Sequence, residues 1–479
     1  MFRLSKDLHP TGERGQKRTA LVITALASFL TPFVLSAAVI ALPSIGKEFQ
    51  MDVVLLGWVQ TSYLLSSAVF LVPFGRIADI KGRKKVFLAG LVIFTVASFA
   101  VSLSNSVVSL LISRVVQGFG GSMIFGTAVA ILTSVFPPGE RGKALGINVA
   151  TVYMGIALGP FLGGILIQNF GWRSIFLVNV PLGMIAALLT FYWLKGEWAD
   201  ASGSKFDLAG SILYGVALTS IIWGSLSFSN SGGGTTVAGL PLQTLLALLG
   251  GFLCLSLFIA WELRAPSPVL DLRLFRYNRV FTFSSIAALI NYSATYAISF
   301  FLSLYLQLVK GLDPQIAGTI LVAQPVVQAL LSPAAGWLSD RIAPRLVASL
   351  GIGINAAGLA AFTFIDRGTD ILLIIAILVV MGVGFALFSS PNTNAIMCSV
   401  ERNVLGVASA IVSTMRLLGQ VVSMAIAMVI LSIFVGTVVL SPANSEPFIA
   451  GLRVAFLIFS VLCIIGFFAS LTRGKSVTT

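Results

Sequence analysis

The chain has 479 residues, of which 57% are hydrophobic and 10% are charged, and its mean hydropathy is +0.99. This composition excludes a soluble globular protein and a disordered one, and it indicates a membrane protein with many spans. The formal charge is +13, but the basic residues fall in short loops beside apolar runs, where they orient helices and contact anionic lipid. We therefore predict membrane lipids, and no nucleic acid, as partners of these residues.

Apolar runs long enough to cross a hydrocarbon core of about 30 Å follow one another along the chain. Fourteen such spans are predicted, at residues 20–43, 53–75, 86–104, 107–135, 144–168, 174–194, 208–228, 241–261, 280–308, 316–338, 346–365, 371–395, 404–435 and 449–471. The basic tail before span 1 predicts a retained anchor, not a cleaved signal peptide. Most Lys and Arg residues fall on the side of the N-terminus, which predicts that both termini lie in the cytoplasm of a multi-pass protein of the cell (plasma or inner) membrane.

The ends of span 2 carry charges that hydropathy alone does not require. Asp52 precedes the span, and Asp79 and Arg83 lie in the turn that follows it. We predict that Asp79 accepts hydrogen bonds from the N-terminus of a helix in the other half of the molecule while Arg83 forms a charge pair, so that the turn latches the outward-facing state. The alternative is a basic loop that only sets topology, for which no acid is needed.

Two arginines lie well inside predicted spans, away from the span ends. Arg114 lies in the middle of span 4 with Gln117 one turn on, and Arg416 lies in span 13 with Gln420 on the same face. An arginine at a helix centre costs ~2.5 to 3.5 kcal/mol on insertion scales, so each must face a partner or a water-filled cavity. The alternative is a structural arginine whose donors are satisfied by helix carbonyls.

Span 5 contains the string GIALGPFLGG, with glycines at positions 155, 159, 163 and 164 around Pro160. Glycine lets helix backbones approach closely, and proline breaks an intrahelical hydrogen bond that only a packed neighbour or a cavity can compensate in lipid. The combination predicts a helix interface that moves. An ordinary tight crossing of two membrane helices is the alternative.

Polar side chains recur on single faces of several spans. With Gln117 and Arg416, we predict that the following residues line a cavity and bind substrate: Gln60 and Tyr63 in span 2, Tyr292 and Tyr296 in span 9, and Gln324 and Gln328 in span 10. Small-molecule pockets are mostly apolar with a few polar groups, which suits an amphipathic molecule. Each of these side chains could instead hold two helices together.

A weak internal repeat divides the chain into two halves. Gly75 and Asp79 match Gly336 and Asp340 at one constant offset, each pair between two spans. The repeat predicts an all-α membrane protein of two six-helix bundles related by a pseudo-two-fold axis. The predicted parts are a tail (1–19), the N-terminal bundle (20–198), two inserted helices (199–264), the C-terminal bundle (265–472) and a second tail (473–479).

Several strings together resemble the signatures of one transporter family. They are WVQTSYLL from Trp58, GRIADIKGRKK from Gly75, LISRVVQGFGG from Leu111, GIALGPFLGG from Gly155, WRSIFLVNVPLG from Trp172, WELRAPSPVLDLRLF from Trp261 and GVASAIVSTMRLLGQ from Gly406. Over nearly the whole chain, the sequence is similar to the major facilitator superfamily, and specifically to its fourteen-helix drug and metabolite exporter group. The resemblance implies alternating access, a small-molecule substrate, proton antiport and a coupling role for Arg114.

On this basis we assign coupling or gating to Asp52, Asp79, Arg83, Arg114, Gly155, Gly159, Pro160, Gly163, Gly164 and Asp340. One departure from the family pattern stands out, because the exporter group carries an aspartate in span 1 where this chain has Val34. No Asp or Glu falls in the middle of a predicted span. A proton relay would have to use acids at span ends, such as Asp52, Asp79 or Glu262, and two buried cations favour neutral or anionic substrates.

The sequence therefore predicts a secondary transporter that exports small amphipathic or hydrophobic molecules, including drugs or metabolites. The alternative is a carrier of the same fold for lipids, anionic amphiphiles or metabolites without classical proton coupling. We predict no enzyme, because the spans contain no histidine, no acid pair and no nucleophile beside a base, and no phosphate-binding GxxxxGK[ST] string occurs. Cys254, Cys398 and Cys463 have no CxxC spacing, so we predict no disulfide, metal site or cofactor.

Overall fold

The computed structural model describes residues 13–199, 201, 203, 205–226, 236–237, 240–266, 268–270, 272, 275, 278–400, 405–436 and 445–473. Helices form almost all of this structure. In the first half they are α1 (Glu13–Phe49), α2 (Val53–Lys81), α3 (Arg83–Ser102), α4 (Val107–Val135), α5 (Pro138–Phe170), α6 (Ser174–Leu177), α7 (Asn179–Trp193), α8 (Leu208–Leu226) and α9 (Leu242–Glu262). A short antiparallel ribbon of β1 (Thr236–Val237) and β2 (Leu240–Pro241) precedes α9.

The second half begins with α10 (Arg279–Thr295), α11 (Ala297–Leu304) and a π-helical turn (Tyr305–Val309). It continues with α12 (Pro314–Leu321), α13 (Ala323–Arg341), α14 (Pro344–Phe362), α15 (Ile371–Cys398), α16 (Leu405–Phe434) and α17 (Ser445–Leu471). Among the described residues, 14 helical segments are long and apolar enough to cross a membrane, which confirms the predicted number of spans.

Two helices begin well before the predicted spans. α1 begins at Glu13 instead of residue 20, and α5 begins at Pro138 instead of residue 144. Hydropathy detects the part of a helix that lies in hydrocarbon, whereas backbone hydrogen bonding continues into the headgroup region, where charged residues are tolerated. Span 6 is divided at Val178 into α6 and α7, and span 9 is divided into α10, α11 and the π-helical turn.

The two halves repeat one packing scheme. In the first half α1 packs on α5, α2 and α3 pack on α4, and α3 packs on α7. The corresponding contacts in the second half join α10 to α16, α13 and α14 to α15, and α14 to α17. The architecture is therefore a pair of equivalent six-helix bundles, as the internal repeat predicts.

Helices α8 and α9 form a hairpin outside the two bundles. Only 17% of the apolar membrane-spanning stretch of α9 is buried inside the protein, against 72% of that of α2. The hairpin is attached through α8, which packs on both α2 and α16. Tyr214 donates a hydrogen bond to the carbonyl of Ala68 at 3.2 Å, and the rings of Trp58 and Trp223 lie 5.9 Å apart.

Candidate functional site

A cavity lies between the two bundles and is lined by both. Of the eight residues predicted to bind substrate, seven line it, namely Gln60, Tyr63, Tyr292, Tyr296, Gln324, Gln328 and Arg416. Helix-face spacing brings these residues together, because partners three or four positions apart point in one direction. Gln117 lies behind the wall, where it is fully buried and donates to the hydroxyl of Ser98 at 2.8 Å.

Sequence reasoning missed the aromatic side chains that complete the wall, chiefly Phe125, Tyr153, Phe300 and Phe385. Tyr153 could have been predicted, because it lies two turns before Pro160 and therefore on the same face of α5, and both residues line the cavity. Its hydroxyl forms a hydrogen bond with that of Ser389 in the other bundle. The phenylalanines had no signal, since aromatic residues are common at lipid-facing positions as well.

Arg114 is held inside the first bundle and does not line the cavity. Its side chain is fully buried, and Nε donates to the carbonyl of Val59 at 2.9 Å. Nη1 donates to Oε1 of Gln117 at 2.6 Å, and the ring centroid of Tyr63 lies 4.7 Å from Cζ. A helix carbonyl and a side-chain amide therefore both accept hydrogen bonds from this cation. The carbonyl contact is the one expected for a structural arginine, and the coupling role of Arg114 stays a prediction.

Arg416 has a different environment. Its guanidinium lines the cavity and lies 6.0 Å from the ring centroid of Phe125. No described residue accepts a hydrogen bond from it or forms an ion pair with it. Gln420, one turn along α16, also lines the cavity. Arg416 is thus a cation that is available to something inside the cavity.

Carboxylates lie outside the cavity. None of the described residues that line it is Asp or Glu. Val34 is fully buried within the bundle and is not part of the wall. Asp52 accepts a hydrogen bond from the backbone of Leu55 at 2.7 Å as the N-cap of α2, and Glu262 lies at the end of α9, buried to 1% exposure. The acids considered for a proton relay therefore occupy helix ends.

The bundles meet closely on one side of the cavity. We call the side on which α1 begins and α17 ends the terminal side, and the contacts in question lie on the opposite side. Ser303 donates to the carbonyl of Val39 at 2.8 Å, and Gln307 donates to that of Ile40 at 3.1 Å. We refer to these two contacts between α1 and the second bundle as the far gate.

The glycines of α5 serve two interfaces. A Cβ at Gly159 would lie 1.9 Å from the hydroxyl of Ser36 in α1, within the same bundle. A Cβ at Gly164 would lie 2.6 Å from the carbonyl oxygen of Pro314 in α12, which belongs to the other bundle. Gly155 and Gly163 share the α1 face, and the carbonyl of Pro160 faces Gly318 on the α12 side. The string thus packs tightly both within a bundle and across the boundary between bundles.

The turn after α2 lies on the terminal side. Arg83 forms a 2.7 Å ion pair with Asp79 and a hydrogen bond with Ser134. The segment after α7 covers this turn, because Glu197 accepts from the backbone of Lys84 at 2.8 Å and Ala201 donates to the carbonyl of Asp79 at 3.0 Å. These described partners of Asp79 belong to the first half and to the segment that follows it. The predicted contact with the other half concerned the outward-facing state, whereas here the far gate is closed. Asp340 ends the corresponding helix α13, and its side chain lies outside the described residues.

Two homologous helical bundles around a shared central cavity define a membrane transporter. The sequence model that describes the Major Facilitator Superfamily matches residues 24–424 and 284–477 of this chain. The chain therefore belongs to this family. It is 32% identical over 401 residues to the riboflavin transporter RibZ of Clostridioides difficile, covering 84% of this chain and 85% of that protein. It is 30% identical over 407 residues to the multidrug resistance protein Stp of Mycobacterium tuberculosis, covering 85% of this chain and 74% of that protein. Among solved structures, a bacterial homologue of the human lysosomal transporter Spinster superposes with a TM-score of 0.69 at 16% identity, covering 95% of this chain and 97% of that one.

Proposed function

We propose that this transporter exports small amphipathic molecules by alternating access and belongs to the fourteen-helix drug and metabolite exporter group. The observation that carries the proposal is the cavity, which takes its wall from both bundles and combines aromatic rings, amide groups and one cation. A site shared by two bundles changes its access when they rock against each other. The relatives named for riboflavin transport and multidrug resistance support this class of substrate.

We assign the transporter to the cell membrane with both termini in the cytoplasm, from the distribution of basic residues. In this orientation the far gate faces the outside, and the structure corresponds to an inward-facing state that receives substrate from the cytoplasm. Opening the far gate requires loss of the contacts at Val39 and Ile40. Rocking about the α5–α12 interface would separate them without unfolding either bundle.

Proton antiport is the proposed mode of coupling, with Asp52, Asp79 and Glu262 as the acids at helix ends that could exchange a proton. A second candidate is a carrier of anionic amphiphiles without classical proton coupling. The specific observation in its favour is a described cavity wall without a carboxylate. The two candidates share the cavity and differ in whether a pH gradient drives uphill flux.

Uptake into inverted membrane vesicles tests both. Riboflavin, the anion 4′-hydroxybiphenyl-4-carboxylate and the cation ethidium are supplied with and without a pH gradient that is acidic inside. We expect protein-dependent uptake of at least one compound, and antiport requires that the gradient drive its accumulation above equilibrium. Flux that equilibrates but ignores the gradient selects the second candidate. If vesicles that contain the protein take up none of the three compounds faster than vesicles without it, the proposed function is wrong.

A further inference from the structure

Arg416 is the feature of the cavity that the general function does not explain. Its guanidinium is planar, permanently charged and able to donate five hydrogen bonds. No described residue accepts one of them or forms an ion pair with this side chain, although the neighbouring helices α4, α5 and α10 all contribute to the same wall. Arg416 is partly exposed to the cavity, and an oxyanion that replaces water beside it would form charge-assisted hydrogen bonds and a charge interaction with the guanidinium.

The charge around Arg416 is not balanced elsewhere in the cavity. Arg114, the second intramembrane cation, is already satisfied by Val59 and Gln117. Since no described lining residue is acidic, Arg114 and Arg416 both make the electrostatic potential in the cavity more positive. This arrangement favours an anionic ligand over a neutral one and opposes a cation.

The walls beside Arg416 are aromatic. Phe125 lies under the guanidinium, and Tyr153 and Tyr292 line the same cavity. Aromatic side chains bind flat rings by offset stacking or edge-to-face contact. Gln328 and Gln420 lie on the same wall and supply amide groups for polar edges. An aromatic ring directly attached to the anionic group therefore fits this end of the cavity.

The other end of the cavity is marked by Tyr296, whose buried hydroxyl has no hydrogen-bond partner among the described residues. A buried hydroxyl without a partner is unfavourable, so a shift of the Tyr296 side chain that exposes the hydroxyl to a polar group of the ligand would stabilise it. The contact between Gly419 of α16 and Tyr292 of α10 fixes the register of these helices. Arg416 lies three residues on the terminal side of that contact and Tyr296 lies four residues beyond it, so a rise of ~1.5 Å per residue separates them by about 10 Å in depth.

We propose that the substrate is an elongated aromatic oxyanion, with its carboxylate or equivalent group on Arg416, its rings between the aromatic walls, and a polar group at the far end near Tyr296. This inference rests on the proposed function and narrows its substrate class. A biphenyl carboxylate with a 4′-hydroxyl group has the required order of groups. Its carboxamide keeps the shape and removes the charge.

Binding to the purified full-length protein in lipid nanodiscs tests the proposal by isothermal titration calorimetry. The compounds are 4′-hydroxybiphenyl-4-carboxylate, 4′-hydroxybiphenyl-4-carboxamide and ethidium. We expect the wild-type protein to bind the acid at least about ten-fold more tightly than the amide, which corresponds to ~1.4 kcal/mol, and to bind ethidium most weakly. In Arg416→Gln the acid should bind no more than about two-fold more tightly than the amide. Arg341→Gln, which removes an exposed cation at the end of α13, should keep the wild-type ratio.

The far end of the ligand is tested separately. Tyr296→Phe should weaken binding of the hydroxylated acid several-fold and leave biphenyl-4-carboxylate, which lacks the hydroxyl group, unchanged. If the substitution affects both acids equally, the hydroxyl does not contact the ligand and this part of the proposal is wrong.

The wild-type comparison needs no variant to fold, and Arg416→Lys, which keeps the charge, should keep the preference for the acid. Equal affinity for acid and amide, tighter binding of ethidium, an unchanged preference in Arg416→Gln, or no binding of either biphenyl each overturn the proposal. The vesicle assay separates this failure from failure of the proposed function. Uptake of riboflavin or ethidium without binding of the acid would leave an exporter with a different substrate class.

Discussion

The two intramembrane arginines look alike in the sequence and differ in the structure. Each has a glutamine one turn away, so the same argument applied to both. Arg114 is satisfied by Val59 and Gln117, whereas Arg416 faces the cavity. The sequence predicts that each needs a partner, because a charge in hydrocarbon is costly. The sequence could not identify the partner of Arg114, because this partner is the backbone carbonyl of Val59, 55 residues away. Every residue has a backbone carbonyl, so the residue type at position 59 gives no indication of this contact.

This difference predicts that the two substitutions affect stability to different extents. Arg114→Ala removes a fully buried cation and leaves the carbonyl of Val59 and the amide of Gln117 without their donor, so we expect a loss of about 2 to 4 kcal/mol in the free energy of unfolding. Arg416→Ala breaks no described hydrogen bond and should change stability by less than about 1 kcal/mol. Thermal unfolding of both variants in one detergent measures the difference. Equal destabilisation would contradict the assignment of Arg114 to the structural network.

At the scale of elements, the glycines of α5 show what a motif predicts and what it leaves open, namely close helix packing but not the partner helix. Its glycines predicted a moving interface, with a static crossing as the alternative. The structure contains a tight crossing within the first bundle, on α1, and a second contact across the boundary, on α12. The spacing of glycines predicts close approach but is nearly the same for both faces. Only the tertiary arrangement distinguishes Gly159, which packs within a bundle, from Gly164, which packs between bundles.

Alanine at Gly164 should therefore act on the conformational cycle. Its Cβ would lie 2.6 Å from the carbonyl oxygen of Pro314, so α5 and α12 must move apart at the far side. We expect Gly164→Ala to lower the transport rate at least several-fold and to increase labelling of a cysteine placed at Val39.

Gly146→Ala is the matched control for this substitution. Gly146 lies in the same helix, and a Cβ at this position would have no described atom within 4 Å. Alanine there should leave transport unchanged and stabilise the helix by up to about 1 kcal/mol. Similar transport in both variants would show that the α5–α12 contact does not limit the cycle.

For the whole molecule, hydropathy predicted fourteen helices, because the thickness of the membrane sets the length of an apolar run. One repeated loop predicted the two halves, because such transporters are built from internal repeats. Seven of eight predicted substrate residues line the cavity, since helix periodicity places them on common faces. The far gate was not predictable. Its acceptors are the carbonyls of Val39 and Ile40, and its donors are a serine and a glutamine without a distinctive pattern.

Locking this gate should stop the cycle. In a background without the native cysteines, we expect Val39→Cys combined with Ser303→Cys to form a disulfide that abolishes transport, because the bundles can no longer separate at the far side. Val39→Cys alone and Ser303→Cys alone cannot form this cross-link and should keep their transport activity under the same oxidising conditions. A reductant that cannot cross the membrane should restore activity to the gate variant in whole cells when added outside. Transport that persists in the oxidised gate variant would contradict rocking about this interface.

The α8–α9 hairpin has a consequence for molecules dissolved in the bilayer. Because α8 packs on both α2 and α16, the hairpin screens the seam between the bundles on one flank of the protein. On the opposite flank α5 meets α12 and α13, and no further helix of the described chain packs over that boundary. Among the described residues, lipid therefore meets a covered seam on one flank and an uncovered seam on the other, so a lipophilic molecule diffusing in the leaflet encounters two unequal flanks.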